Sequence, residues 1–240
     1  MSDTLLITGA SSSIGCKIIE SLNSDQNVIA LYNKNKNKFD NIRNKRIISY
    51  KIDLSKQDQI EKLITNLEND KLIPNKVLHI ASKKLSMNAF QNTVWNEYLE
   101  NFNVQVGSIF MILKWLMPYM KKNKHGKIVA ILSSAVSGTT PGSMSSYVTS
   151  KYALHGLIKS LSVEMSKFNV NLNTISPGMM DTEFLSNIPK KILEINNQKV
   201  PFGRSVSVDD IVPLINFLLS SDSDFISGVD IPVTGGLIDW

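Results

Sequence analysis

At 240 residues, 42% hydrophobic and 20% charged, the chain is long enough for one sizeable core, and its composition excludes a disordered or low-complexity class. A single cysteine, Cys16, excludes an internal disulfide framework and suits a reducing compartment. The net charge of +5 comes from scattered lysines with no nucleic-acid-binding motif beside them, so it reads as a solvated surface and no nucleic-acid partner is expected.

Strand-like and helix-like segments alternate from end to end. TLLIT, NVIALY, RIISYKI, KVLHIA, KIVAIL, NVNLNTI and GVDIPV are short, aliphatic or β-branched, and bounded by polar or Gly/Pro signals. Amphipathic stretches lie between them near 13–23, 56–69, 92–104, 106–122, 147–167 and 208–220. Several strands are apolar on both faces, as in a parallel sheet covered by helices on each side. The pattern predicts a doubly wound α/β fold of about seven strands, as a single domain over residues 1–240. The Asn/Lys run at 33–45 reads as a surface loop. Residues 181–205 break the alternation and follow the sixth strand, where open parallel sheets bind ligands, so they read as a substrate lid.

The N-terminus enters TLLIT directly, so no leader segment is expected. The most apolar run, IFMILKWLMPYM, is interrupted by Lys114 and Pro118 and is too short to span a bilayer. A cytoplasmic protein without a membrane partner is the expectation.

Two segments carry chemistry. The first strand leads into TGASSSIG, residues 8–15, and then a helix. Gly9 permits a tight turn, Gly15 permits close packing of helix on strand, and a helix N-terminus offers unpaired N–H groups to a pyrophosphate. The spacing departs from GxGxxG, and a plain serine-capped turn is the competing reading. Further on, Tyr147 and Lys151 stand four residues apart, and Ser134 lies thirteen residues before Tyr147, at the end of KIVAILSS. Residues i and i+4 share a helix face, and an ammonium there favours a phenolate, lowering a pKa normally about 10. Such a tyrosine exchanges a proton with a substrate oxygen held by the serine. A second YxxxK, Tyr32 to Lys36, lies in the polar loop and has Ile19 where the serine should be.

These residues, taken in order, resemble the short-chain dehydrogenase/reductase family, most nearly its 3-oxoacyl-[acyl-carrier-protein] reductases. The likeness continues through Asp53-Leu54, Pro177-Gly178 with Thr182, VPFGR, SVDDI, FLLSS and VTGG, and so covers essentially the whole chain. It implies a Rossmann-like fold, an oxidoreductase with Ser134, Tyr147 and Lys151 as catalytic residues, and Gln105 at the fourth catalytic position, where the family has asparagine. Asn103 is the nearby alternative for that position. It also implies cofactor contacts from Thr8, Gly9, Ser11, Ser12, Ser13, Ile14 and Gly15 in the turn, and from Asn33 and Lys34 after the second strand. Further contacts fall to Asp53, Leu54, Ala81, Ser82, Tyr147, Lys151, Pro177, Gly178, Met180 and Thr182, with no metal. Ser13 replaces the family's middle glycine, and His79-Ile80-Ala81-Ser82 replaces its NNAG.

No Asp or Glu occurs from Gln26 to Phe39 to bind a ribose 2′-hydroxyl, while Lys34, Lys36 and Lys38 offer positive charge to a 2′-phosphate. NADPH is therefore expected over NADH, with NADH the alternative. The resemblance implies a homo-oligomer, tetramer or dimer, through helices carrying Phe110, Trp115, Met117, Leu154, Leu157 and Leu161. It also implies a small-molecule or carrier-bound ketone, with an acyl carrier protein docking on Lys121, Lys122, Lys124 and Lys167 near the active-site mouth. The competing functions are an alcohol or sugar-related dehydrogenase of the same family and a cofactor-binding regulator without turnover. Cys16, His125 and His155 read as structural or surface residues.

Overall fold

The computed structural model describes residues 3–35, 39, 42, 46–137 and 140–237. Seven strands form one sheet: β1 (Thr4–Thr8), β2 (Asn27–Tyr32), β3 (Arg46–Lys51), β4 (Lys76–His79), β5 (Gly126–Ile131), β6 (Val170–Pro177) and β7 (Asp230–Val233). Their spatial order is β3-β2-β1-β4-β5-β6-β7, and every pairing is parallel. β1, β5 and β6 are buried along their whole length, which is why their sequences are apolar on both faces.

Helices cover both faces. On one side α1 (Ser13–Ser21) and α7 (Val208–Leu219) pack on a core that includes Ile7, Ile18, Val129 and Ile215. On the other, α2 (Gln57–Asn69), α4 (Ser108–Asn123) and α5 (Ser145–Met165) bury Leu63, Ile112, Leu116, Leu154 and Ile158. The chain runs outward through β1, β2 and β3, then returns to pair β4 with the other edge of β1. That reversal opens a crevice beyond the carboxyl ends of β1 and β4, where ligands bind in open α/β sheets.

The segment expected as two helices, 92–104 and 106–122, is continuous. α3 (Trp95–Phe102) passes through a π-helical turn, Asn103–Gly107, directly into α4. The lid segment holds a 3-10 turn, Glu183–Leu185, and a helix, α6 (Lys190–Lys199), which buries none of its residues. Its apolar face is narrow, with Ile192 and Leu193 half-buried against the cluster around Tyr147, so the sequence gives little sign of it. Lys36 and Lys38, invoked for cofactor choice, lie outside the described residues.

Of the residues expected to form subunit contacts, Met117 and Leu154 belong to the core, and Trp115 packs against it while donating Nε1–H to Glu68 Oε1 at 2.9 Å. Phe110 is half exposed. The lysines expected near the active-site mouth are elsewhere. α4 ends at Asn123 and feeds the start of β5, and α5 ends at Met165 and feeds the start of β6. Lys121 and Lys167 do meet, both over the Phe168 ring, and Lys121 pairs with Glu164 at 2.8 Å. This corner is at the amino ends of the strands, across the sheet from the crevice, so within one chain it cannot border the mouth.

Candidate active site

The crevice is a cleft of about 1100 Å³. Its floor on one side is the turn after β1. Ser12 caps α1, its Oγ accepting the Gly15 N–H at 3.1 Å, and the Ser12 N–H bonds the Gly9 carbonyl at 3.0 Å. The backbone N–H groups of Ser13 and Ile14 have no hydrogen-bond partner among the described residues. They remain at the positive end of a helix dipole, available to an anion.

Both glycines are needed. Gly9 has φ +71°, and a Cβ there would lie 3.1 Å from the backbone of Ala81; at Gly15 a Cβ would lie 2.5 Å from the Ala10 carbonyl oxygen. Ser13, in place of a third glycine, is the first residue of α1 and is exposed, outside the left-handed region of φ. The cradle thus tolerates the serine, and the turn fits a dinucleotide pyrophosphate.

Most of the residues singled out from the sequence share this cleft. Gly9, Ser11, Ser12, Ser13 and Ile14 line it, as do Asn33, Lys34, Asp53 and Leu54. So do Ala81, Ser82, Tyr147, Lys151, Pro177, Gly178, Met180 and Thr182. The Asp53 carboxylate is fixed at the start of α2, where Oδ1 accepts the N–H and the hydroxyl of Ser55 at 2.9 and 2.8 Å. The Gly178 N–H bonds the Val233 carbonyl at 2.9 Å, which ties the loop after β6 to β7. Thr8, Gly15 and Gln105 stand behind the wall: all three are buried and none lines the cleft.

Ser134, the serine that the spacing selects, lines the cleft with Tyr147 and Lys151, and so does its neighbour Ser133. Ser133 leaves β5 in an extended conformation and caps a short 3-10 turn, Ser134–Val136, with the Ala135 N–H donating to its Oγ at 3.2 Å.

The electrostatics also differ from expectation. Burial pushes the Tyr147 phenol up to about 12, opposed only by the Ser133 hydroxyl. Burial brings Lys151 down to about 7. Lys151 Nζ donates to the Ile131 carbonyl at 2.6 Å and lies 5.7 Å from the centre of the Tyr147 ring. The ammonium therefore faces the ring, and in this state the cost of burying a charge outweighs its attraction for a phenolate.

An apolar wall surrounds Tyr147. Leu85, Met144, Val148, Leu185 and Ile188 bury against it, joined by Met179 and Phe184. The Phe184 ring is 5.7 Å from the Tyr147 ring, and the Leu85 N–H bonds the Phe184 carbonyl at 3.2 Å. None of these wall residues could be placed from sequence, because they come from three separate loops and one helix. At the end of this segment, Arg204 grips Asp210 through two bonds of 2.6 and 2.8 Å, beside the capping box of α7. No group of His, Cys, Asp and Glu suited to a metal ion occurs among the described residues. No helix among them is long and apolar enough to cross a membrane.

A family model described as Enoyl-(Acyl carrier protein) reductase, of the short-chain dehydrogenase type, matches residues 9–238. The chain belongs to the short-chain dehydrogenase/reductase family of oxidoreductases. Within the family it is similar to the 3-oxoacyl-[acyl-carrier-protein] reductase FabG of Buchnera aphidicola subsp. Baizongia pistaciae, at 31% identity over 97% of this chain and 96% of the relative. It is similar also to MabA, a reductase of the same description from Mycobacterium tuberculosis, at 28% identity over 99% of this chain and 93% of that one. Among solved structures, a 4-hydroxyisoleucine dehydrogenase mutant complexed with NADH and succinate matches with a TM-score of 0.90 and 28% identity, covering 98% of each chain.

Proposed function

We propose that the protein reduces a ketone, of the 3-oxoacyl thioester kind, to a secondary alcohol, with Tyr147 as proton donor and NADPH as cofactor. The observation that carries this reading is the convergence of Ser134, Tyr147 and Lys151 on a cleft whose far end is a glycine turn fit for a pyrophosphate. When bound, the nicotinamide cofactor supplies a hydride for the carbonyl carbon.

The chain's own residues do the rest. The turn from Thr8 to Gly15 holds the pyrophosphate through the Ser13 and Ile14 N–H groups. Asp53 and Leu54 border the adenine end, while Ala81, Ser82, Pro177, Gly178, Met180 and Thr182 border the nicotinamide end. Ser134 binds the substrate oxygen. Tyr147 donates its phenolic proton to that oxygen as the carbon is reduced. An acid must be protonated before it can give a proton, and burial that holds the phenol up to about 12 keeps it so at neutral pH. Lys151, within the same buried pocket, stabilises the phenolate left behind and holds the nicotinamide ribose.

The apolar wall around Tyr147 favours an acyl ketone over a polyol, since a row of hydroxyls would lose hydration there without partners. The family description speaks of an enoyl substrate and the relatives' names of a 3-oxoacyl one. The Ser134 and Tyr147 hydroxyls in one cleft suit a ketone oxygen, and a 2-enoyl thioester, which also carries a carbonyl oxygen, is the competing substrate. The segment 181–205 acts as the lid, with Phe184 against Tyr147.

NADPH is favoured because Tyr32, Asn33, Lys34 and Asn35 line the cleft at the end of β2, with a lysine and no carboxylate among them. The chain assembles as a homo-oligomer through the stripe formed by Trp95 and Leu99 on α3 and Phe110 on α4, with Trp95 67% exposed. A monomeric mass by light scattering would contradict that assembly. Function is tested by following oxidation of NADPH and NADH against 3-oxoacyl thioesters, 2-enoyl thioesters, cyclic ketones and keto-sugars. The 3-oxoacyl thioesters with NADPH should give the highest kcat/KM. Activity confined to enoyl thioesters or to sugars overturns the substrate reading, and activity with none overturns the reductase.

A further inference from the structure

His79 ends β4, is 1% exposed, and takes no part in the chemistry above. Its ring bridges two distant segments. Nδ1 is 2.8 Å from Thr8 Oγ1, and Nε2 is 2.9 Å from the Gln105 carbonyl oxygen. The proton positions follow from the partners. A carbonyl only accepts, so Nε2 carries hydrogen. Burial, with the nearby Lys151 charge, holds the imidazole down to about 3, so the ring is neutral and Nδ1 is an acceptor. The Thr8 hydroxyl must then donate to Nδ1, while it accepts the N–H groups of Ile80 and Ala81 at 3.2 and 3.3 Å. Both ring nitrogens are thereby satisfied.

Each end of the bridge has a consequence. Thr8 immediately precedes Gly9, the glycine pressed against Ala81 at the start of the pyrophosphate turn. Gln105 is the centre of the π-helical turn Asn103–Gly107, which packs on α5, the helix that carries Tyr147 and Lys151. The Gln105 carboxamide is wholly buried, and neither its oxygen nor its nitrogen has a partner. The side chain therefore does nothing to fix the turn, and the carbonyl bond from His79 is its buried polar anchor, beside an exposed contact from Asn103 Nδ2 to the Ser55 carbonyl at 3.5 Å. The turn's odd register, one residue wider than an α-helical turn, presents that carbonyl inward.

We propose that His79 is a positioning residue whose Thr8–His79–Gln105 bridge locks the cofactor turn and the catalytic helix into one register. It touches neither the substrate nor the cofactor and acts through the two segments it joins. The proposal rests on the reductase reading for its kinetic test and stands apart from it for its spectroscopic one.

The test compares His79→Gln, whose amide can donate to the Gln105 carbonyl, with His79→Leu, which cannot. Misplacing reacting groups by about 1 Å costs about 100-fold, so His79→Leu should lower kcat by about 10- to 100-fold. The cofactor dissociation constant should change little, because Gly9, Ser12 and Gly15 still build the cradle. His79→Gln should recover most of the lost kcat. Circular dichroism and melting temperature establish that each variant is folded. A folded His79→Leu with wild-type kcat, or a His79→Gln as impaired as His79→Leu, overturns the positioning role.

Nitrogen-15 spectra of histidine-labelled wild type supply the second measurement and need no turnover. The resonance missing from His79→Gln should show a proton on Nε2, none on Nδ1, and no titration between about pH 5 and 8, the range in which an ordinary histidine changes charge. A titrating ring, or one protonated on Nδ1, removes the bridge. Should wild type be inert toward every substrate tested, the reductase reading fails, and the spectra alone decide whether the bridge exists.

Discussion

The Ser133 Oγ accepts the Ala135 N–H at 3.2 Å, and beside it Ser134 lines the cleft with Tyr147. The two serines are adjacent in sequence and both reach the cleft, so they make a matched pair of probes.

Ser134→Ala should lower kcat by about 100- to 1000-fold, the cost of losing one donor to a developing oxyanion. Ser133→Ala should cost less, since its oxygen is engaged by the Ala135 N–H. Steady-state kinetics of the two variants checks this, and the reverse order of losses would move the role to Ser133.

Lys151 gives a pH dependence with a definite sign. Its ammonium is disfavoured by burial and titrates at about 7 in the free protein. The protonated form is the one that holds the ribose and steadies the phenolate, so kcat/KM for the cofactor should fall as pH rises through about 7. Lys151→Arg, which stays charged at all accessible pH, should flatten that limb even if the overall rate is low. A profile for wild type that is flat from pH 6 to 9 would count against a buried, titrating lysine.

His79 governs stability on the acid side. Its folded pKa, about 3, lies below the unfolded value of 6.5, so the unfolded chain takes up the proton first as pH falls. The contribution is complete above about 6.5 and is lost progressively toward 3. His79→Gln has nothing to protonate there, so its urea midpoint should fall less steeply between those limits than that of wild type. Parallel curves would show that the imidazole is not buried in its neutral form.

Much of the fold was legible because its strands are buried on both faces. TLLIT and NVIALY coincide with β1 and β2 to the residue, since continuous aliphatic runs between polar breaks leave little room for another element. The glycine turn and the Tyr147–Lys151 pair were readable for a different reason: each is local, and each requires particular residues at a fixed spacing. What escaped was non-local. Gln105 was placed by position along a helix, and the π-helical turn takes its side chain away from the cleft. His79 looked like a departure without a use until its two partners, 71 and 26 residues away, were brought to it. The docking lysines were grouped correctly at two helix ends, but those ends feed the amino edges of the strands.

The proton donor is the centre of the account, and Tyr147→Phe tests it most directly. The variant keeps the ring that packs on Phe184 and loses only the hydroxyl. Oxidation of NADPH by a 3-oxoacyl thioester should fall by about 100- to 10,000-fold, the usual cost of removing a general acid, while the cofactor dissociation constant stays near wild type. Turnover by Tyr147→Phe at close to the wild-type rate would contradict the assignment of the phenol, and with it the mechanism built on Ser134, Tyr147 and Lys151.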